Sequence, residues 1–302
     1  MREYLVSFFT RLGYEDEDAA VLLGVYDKIC ASDSASRLWQ GAIGLYDADI
    51  NCDFSELCRA ADSAASTVGV RENTAELLLL ICLTKRLELE YERRGIENAI
   101  FLNTVQDLRY KLEECKLVRG FAGTFVFWWF DRFYNLTRFA LGRLQFEIVD
   151  FGDTYECEGK KLTPESKVIN VHIPRSLEPL SPELCDEAFA MARSFFADEI
   201  EGDVAFVCNS WLLYPENEKI LSEKSNVYKF MKRFDVIKSG VDANFRHLWR
   251  LFDTDEKNPA RLPRDTSMRR AYAEHLENGG KVGTGKGVFF AEGSSDINGN
   301  ER

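Results

Sequence analysis

Apolar residues in the first third of the chain recur at intervals of three and four. Asp16, Glu17 and Asp18 stand before the apolar stripe Ala19–Ile29, and an acidic first turn of this kind predicts a helix, because carboxylates complement the positive end of its dipole. A second helix is expected from Asn73-Thr-Ala-Glu76 through Leu83, with the oxygen of Asn73 or Thr74 as its cap. Gly95 interrupts the pattern. Asn103-Thr-Val-Gln106 has capping-box spacing and predicts the start of a third helix, whose Val105, Leu108, Leu112 and Cys115 share one face.

Beyond residue 135 the period changes to two. Between Phe139 and Val149 the apolar Leu144, Phe146 and Ile148 alternate with Arg143, Gln145 and Glu147, which predicts one strand with a buried face and a face open to chemistry. Gly152-Asp153 suits a turn, Thr154-Tyr-Glu-Cys157 begins a second strand that ends near Glu158-Gly159, and Lys167–Ile173 is a third, with Asn170 and His172 opposite Ile169, Val171 and Ile173. Pro174 ends that strand. Ser181-Pro-Glu-Leu184 reads as a cap, a first-turn proline and a first-turn acid, opening a helix to about Phe196. Asp203–Leu213 is almost continuously apolar, as a central strand covered on both faces should be. A short helix over Ser225–Arg233, strands over Phe234–Lys238 and Phe245–Phe252, a helix over Asp265–Leu276 and a strand over Lys286–Phe290 complete the pattern. The expected class is α+β: a helical N-terminal domain, residues 1–118, then a mixed β-sheet flanked by helices, residues 119–292, and a disordered polar tail, residues 293–302.

Composition narrows the function. The 302 residues carry 38 basic and 50 acidic side chains, a net charge of −12, which argues against gripping nucleic acid or anionic lipid by bulk charge. The first 115 residues hold 12 basic and 21 acidic side chains, so an anionic ligand is expected to meet the remainder of the chain. None of the eight cysteines forms a C-x-x-C pair and none of the three histidines lies at ligand spacing to one, so no metal site is expected and the thiols read as buried and reduced. The most apolar window, Gly120–Phe130, is too short for a hydrocarbon layer that needs ~20 residues, and Met1–Arg11 is too charged for a signal peptide. The expectation is a cytoplasmic protein with no membrane or nucleic-acid partner.

The polar positions collect on two strands and two strand ends. Arg143, Gln145 and Glu147 on one strand and Asn170 and His172 on another would bring a carboxylate, an imidazole and two amides to one surface, which can supply a base; a merely solvated sheet face has the same alternation. The segment His172-Ile-Pro-Arg-Ser-Leu-Glu-Pro-Leu-Ser181 runs into a helix N-terminus, where Arg175 and Ser176 would add a cationic fork and a hydroxyl for phosphate. Asn209 and Ser210 close an otherwise apolar strand at the end where such sheets bind ligands, and Tyr214 follows as a proton donor; a strand end that satisfies its own backbone looks the same.

Several segments, Asn73–Leu80, Asp107–Cys115, Thr137–Glu147, Leu162–Arg175, Val204–Pro215 and Asp265–Arg270, resemble the bacterial acyltransferase domain-containing proteins, which join a helical N-acyltransferase N-terminal domain to a GNAT-like C-terminal domain. The resemblance implies an N-acyltransferase that moves an acyl group, acetyl or longer, from acyl-CoA to the amine of a small molecule or peptide. It implies that Glu147 or His172 takes the ammonium proton and Tyr214 protonates the thiolate. Backbone N–H groups near Ile173 would hold the oxyanion, while Arg175, Ser176, Asn209 and Ser210 hold CoA and Arg143, Gln145 and Asn170 face the acceptor. The GNAT glycine-rich loop is replaced here by Pro174-Arg-Ser-Leu-Glu-Pro179. That departure keeps a second reading open, a non-catalytic module that binds a small ligand or peptide, and the aromatic run Phe125–Phe133 a third, a structural interface.

Overall fold

The computed structural model describes residues 1–200, 202–244 and 246–291, so the expected tail at 293–302 lies outside the described residues. The chain forms two compact units. One comprises Met1–Ala140 with Pro174–Ser176; the other comprises Leu141–Ile173 and the chain from Leu177 onward.

The first unit is helical: α1 (Arg2–Leu12), α2 (Asp16–Ala31), α3 (Asp33–Ala48), α4 (Phe54–Val68), α5 (Glu72–Arg93), α6 (Asn98–Arg119) and the single turn α7 (Asp131–Tyr134). The acidic turn at Asp16–Asp18 does open α2. α5 is the hub, touched by α1, α2, α3, α4 and α6. Its run Leu77–Leu83 is buried on every side, as a helix apolar all round must be, and each such side chain contributes ~1.5–3 kcal/mol of burial.

Two expected helix starts are corrected. α5 begins at Glu72, and the Thr74 hydroxyl donates to the carbonyl of Ala122 at 2.6 Å instead of capping. α6 begins at Asn98, five residues before the capping-box spacing; there Thr104 Oγ1 accepts from the backbone N–H of Ala140 at 3.0 Å and Asn103 Nδ2 donates to the Ala140 carbonyl at 3.2 Å. Polar residues that can cap a helix can equally tie down a distant backbone, and spacing alone does not say which.

Among the described residues the strands begin with β1 (Arg138–Leu141), β2 (Leu144–Asp150), β3 (Tyr155–Cys157), β4 (Lys160–Leu162) and β5 (Lys167–His172), then helix α8 (Pro182–Phe195), and β6 (Ala205–Ser210). The short helices α9 (Asn217–Ile220) and α10 (Asn226–Met231) lead to β7 (Asp235–Val241), and α11 (Trp249–Phe252) and α12 (Ser267–Glu277) lead to β8 (Gly283–Phe290). The six-stranded mixed sheet runs β1-β2-β5-β6-β8-β7, and the division between the units falls inside β1. The strand expected over Phe139–Val149 is thus two, broken at Gly142, whose φ of 61° suits glycine.

α8 covers one face of this sheet through Phe189, whose ring meets those of Phe146, Phe206 and Phe289. The other face has an apolar part, where Val168, Ala205, Val207 and Val288 pack with Phe151 and with Leu162 of the β3–β4 hairpin. The strand expected over Phe245–Phe252 is corrected to the helical turn α11, with Phe245 itself outside the described residues. The Asp242 carboxylate accepts from the N–H groups of Arg246 at 2.6 Å and His247 at 3.3 Å and winds the chain, so that Leu248, Leu251 and Phe252 are buried at helical spacing.

Candidate active site

Strand alternation turns Phe146 toward α8 and therefore sends Gln145 and Glu147 to the opposite face. The antiparallel register sets Gln145 beside His172, Glu147 beside Asn170 and Val149 beside Val168. Along this face the sheet passes from the apolar cluster around Val168 to a polar group at the carboxyl end of β5.

Glu147 is 3% exposed, so its carboxylate must be paired to exist there. Its Oε1 lies 2.7 Å from His172 Nε2 and accepts from Asn170 Nδ2 at 3.0 Å. A carboxylate oxygen only accepts, so Nε2 carries a proton, and in the neutral form of the ring Nδ1 is the basic nitrogen. The 3.1 Å approach of Asn170 Nδ2 to Nε2 follows from two donors sharing one acceptor. His172 is one-fifth exposed where Glu147 is closed off, so the imidazole, not the carboxylate, can meet a ligand. Gln145 is buried, and its Oε1 has no hydrogen-bond partner in the structure.

β5 and β6 pair in parallel at only two positions, Ile169 with Phe206 and Asn170 with Val207. Beyond these, each strand continues on its outer neighbour alone. Val171 and His172 stay in register with Phe146 and Gln145 of β2, while Cys208, Asn209 and Ser210 stay in register with Gly287, Lys286 and Gly285 of β8. The two carboxyl ends therefore part beyond Asn170 and Val207. This opening lies at the strand ends named by Ile173 and by Asn209 and Ser210. Asn209 is exposed, and Ser210 Oγ accepts from the Leu212 N–H at 3.2 Å, capping a 3-10 turn over Trp211–Leu213.

The other expected site residues are placed as follows. Arg143 sits in the turn between β1 and β2 and donates from Nε to the Glu178 carbonyl at 3.0 Å, pinning the approach to α8. Asn170 spends its amide on Glu147. The Tyr214 ring packs on Gly283 of β8, separated from β5 by β6, which is about 10 Å at ordinary strand spacing. Burial raises its pKa, so the phenol keeps its proton. Arg175 and Ser176 belong to the first unit, where the Ser176 N–H donates to the Pro174 carbonyl at 3.0 Å.

α8 starts as expected: Ser181 Oγ accepts from the Leu184 N–H at 3.4 Å and Pro182 holds the first position. Glu183 brings its own carboxylate onto its backbone N–H and the Ser181 hydroxyl, which hold it below the usual carboxylate range. Arg233, which the sequence did not single out, donates to the Pro182 carbonyl at 3.1 Å and pairs with Asp186. It lies some fifty residues along the chain, and no local pattern marks it. Among the described residues one group has metal-ligand proximity: Cys58, Asp62 and Glu76 in the first unit, with ligand atoms within 4.8 Å of one another. Burial and Glu76 push the Cys58 thiol up to about 12, so it is protonated and a poor ligand. Among the described residues no helix is long and apolar enough to cross a membrane.

Four solved chains match the fold, and three illustrate it. An acyltransferase in complex with decanoyl-CoA and teicoplanin aligns at TM-score 0.71 and 20% identity, over 95% of this chain and 87% of that one. An acyltransferase mutant with octanoyl-CoA aligns at 0.72 and 20%, over 96% and 88%. An acyltransferase with CoA and 10C-teicoplanin aligns at 0.71 and 20%, over 95% and 87%. Sequence comparison with curated proteins finds no match. The N-acyltransferase N-terminal domain matches residues 3–136, and the GNAT-like C-terminal domain matches residues 138–289, half of the chain. With its helical first unit and its mixed sheet parted at β5 and β6, the chain belongs to the family of proteins that carry the GNAT-like C-terminal domain behind an N-acyltransferase N-terminal domain.

Proposed function

We propose that the protein is an acyl-CoA-dependent N-acyltransferase acting on the amine of a small molecule or peptide. The observation that carries this reading is the parting of β5 from β6 after Asn170 and Val207, with a His–Glu pair at the mouth. A thioester laid in that gap would place its carbonyl oxygen on the N–H groups that β5 turns toward β6 near Ile173, preorganised donors for a developing oxyanion. The amine nitrogen attacks the carbonyl carbon, the C–N bond forms and the C–S bond breaks. The ammonium proton passes to His172 Nδ1, while Glu147 holds Nε2–H and the ring orientation, and Asn170 holds Glu147. Gln145 Oε1 would accept from the acceptor's N–H, and Arg143 would steady the α8 approach. The leaving thiolate takes a proton from Tyr214, whose phenol is kept protonated. Arg175 and Ser176 would hold phosphate, and Asn209 and Ser210 the pantetheine amides.

Octanoyl-CoA and decanoyl-CoA, bound by structural relatives, are the donors to try first, beside acetyl-CoA. At free donor of 100 times Kd, binding to the native state alone raises stability by ~2.7 kcal/mol. Failure of every chain length to raise the melting temperature would remove the proposal. A non-catalytic ligand-binding role is favoured by two features, the absence of glycine between Pro174 and Pro179 and the Glu183 carboxylate already on the first turn of α8. His172→Ala separates the two readings. It abolishes transfer and leaves donor binding intact in an enzyme, and alters binding alone in a module.

A further inference from the structure

The first unit holds a cleft of about 640 Å³ bordered by α4, α5 and the aromatic run after α6. That volume lies within the ~300–1,000 Å³ of small-molecule sites. Its apolar wall is made of Phe54, Phe125, Phe127 and Trp128. The run is fixed in place rather than loose. Thr124 N–H donates to the Asn73 carbonyl at 3.0 Å, Gly123 packs so closely on Asn73 that a Cβ would collide with its backbone, and the Phe54 and Phe127 rings sit 5.0 Å apart. Trp128 is nonetheless 68% exposed, a large indole surface left facing the solvent.

The polar wall has one sign. Asp53, Glu76 and Asp131 line the cleft, and among the described residues no lysine, arginine or histidine lines it, the Arg119 guanidinium lying 5.3 Å over the Phe125 ring. Asp53 is partly balanced, by the Ser55 N–H and by Arg59 at 3.8 Å. Glu76 is not: it is nine-tenths buried, its partners are the Cys58 thiol at 3.8 Å, the Asn73 amide at 3.4 Å and the carboxyl of Asp62, and none of these is a cation. Burial and the neighbouring Asp62 push its pKa up to about 7, the behaviour of a carboxylate that lacks its counter-charge.

We propose that this cleft binds an organic ammonium ion with an apolar or aromatic body, the cation against Glu76 and Asp131 and the body against Trp128, Phe125 and Phe127. Carboxylates alone would serve a metal ion equally well. The aromatic rings decide for the organic cation, because their faces attract an alkylammonium and offer nothing to a hydrated metal.

The probe is benzyltrimethylammonium, followed by isothermal titration calorimetry on the whole chain. It has no N–H to acylate, so its binding is read independently of acyl transfer. The expected result is saturable binding at one site per chain. Trp128→Ala, at an exposed position, should weaken it ~5- to 20-fold, as loss of a cation–π contact does. Glu76→Gln should weaken it ~10-fold, with melting curves showing that the variant folds, and Asp131→Asn serves as the second charge variant. Absence of saturable heat up to millimolar probe, equal affinity for neutral benzyl alcohol, or unchanged affinity in both Trp128→Ala and the charge variants would each overturn the proposal.

Discussion

Removal of Glu147 is the sharpest test of the dyad. The carboxylate is 3% exposed and accepts from His172 at 2.7 Å and Asn170 at 3.0 Å. Glu147→Ala leaves two donors without their acceptor. A buried unmet donor costs ~1–3 kcal/mol, and the His172 ring, one-fifth exposed, recovers part of its bond from water, so the sum is about 2–4 kcal/mol. Glu147→Gln keeps an oxygen in nearly the same place and should cost about 1 kcal/mol. At ~2–4 °C per kcal/mol, the alanine variant should melt roughly 5–15 °C lower and the glutamine variant a few degrees lower. Turnover should order differently. Both variants release the ring from its Nε2–H tautomer, because the glutamine amide can donate to Nε2, so both should lose ~10²–10⁴ in kcat. Melting is followed by circular dichroism, and transfer by the free thiol that CoA release exposes, with decanoyl-CoA and a panel of amines. An alanine variant that melts within a degree of the parent, or a glutamine variant with full turnover, would refute the assignment.

Three further outcomes follow from the packing and the charges. Gly285→Ala would drive a Cβ into the Leu213 carbonyl and should destabilise the second unit by about 3 kcal/mol, visible in urea unfolding. Ser181→Ala removes the α8 cap and should cost about 1 kcal/mol in the same assay, with Ser181→Gly costing less. Glu76, with its pKa raised to about 7, is protonated more readily in the folded than in the unfolded state. Its contribution therefore runs opposite to that of a salt-bridged carboxylate: stability should rise by ~1–3 kcal/mol as pH falls from above 7 toward 4.5, and Glu76→Gln should abolish that rise. Running the pH series on both proteins side by side separates the Glu76–Asp62 pair from the other carboxylates.

Periodicity carried much of the fold because each unit buries one clear pattern. The alternation at Gln145–Glu147 and Asn170–His172 gave two real strands, and Ser181-Pro182-Glu183 gave a real helix start, since cap, proline and first-turn acid all act within four residues. Thr74 and Thr104 misled because their hydroxyls bond to Ala122 and Ala140, partners that only the fold brings near. The α11 turn was hidden for a related reason: its winding depends on one buried carboxylate, Asp242, accepting two N–H groups, and not on the period of its apolar residues alone.

What the chain determines by itself, then, is which residues can share a face. Alternation is a local rule, so Glu147, Asn170 and His172 were legible as candidates before any pairing was known. Register, and not pattern, set Glu147 beside Asn170 and brought His172 within reach of the same oxygen. Tertiary structure alone decided where β5 leaves β6, because that depends on the stronger hold of β2 and β8 on their outer edges. It likewise gathered Glu76 and Trp128 around one cleft from helix and loop segments some fifty residues apart, a distance over which no sequence period carries information.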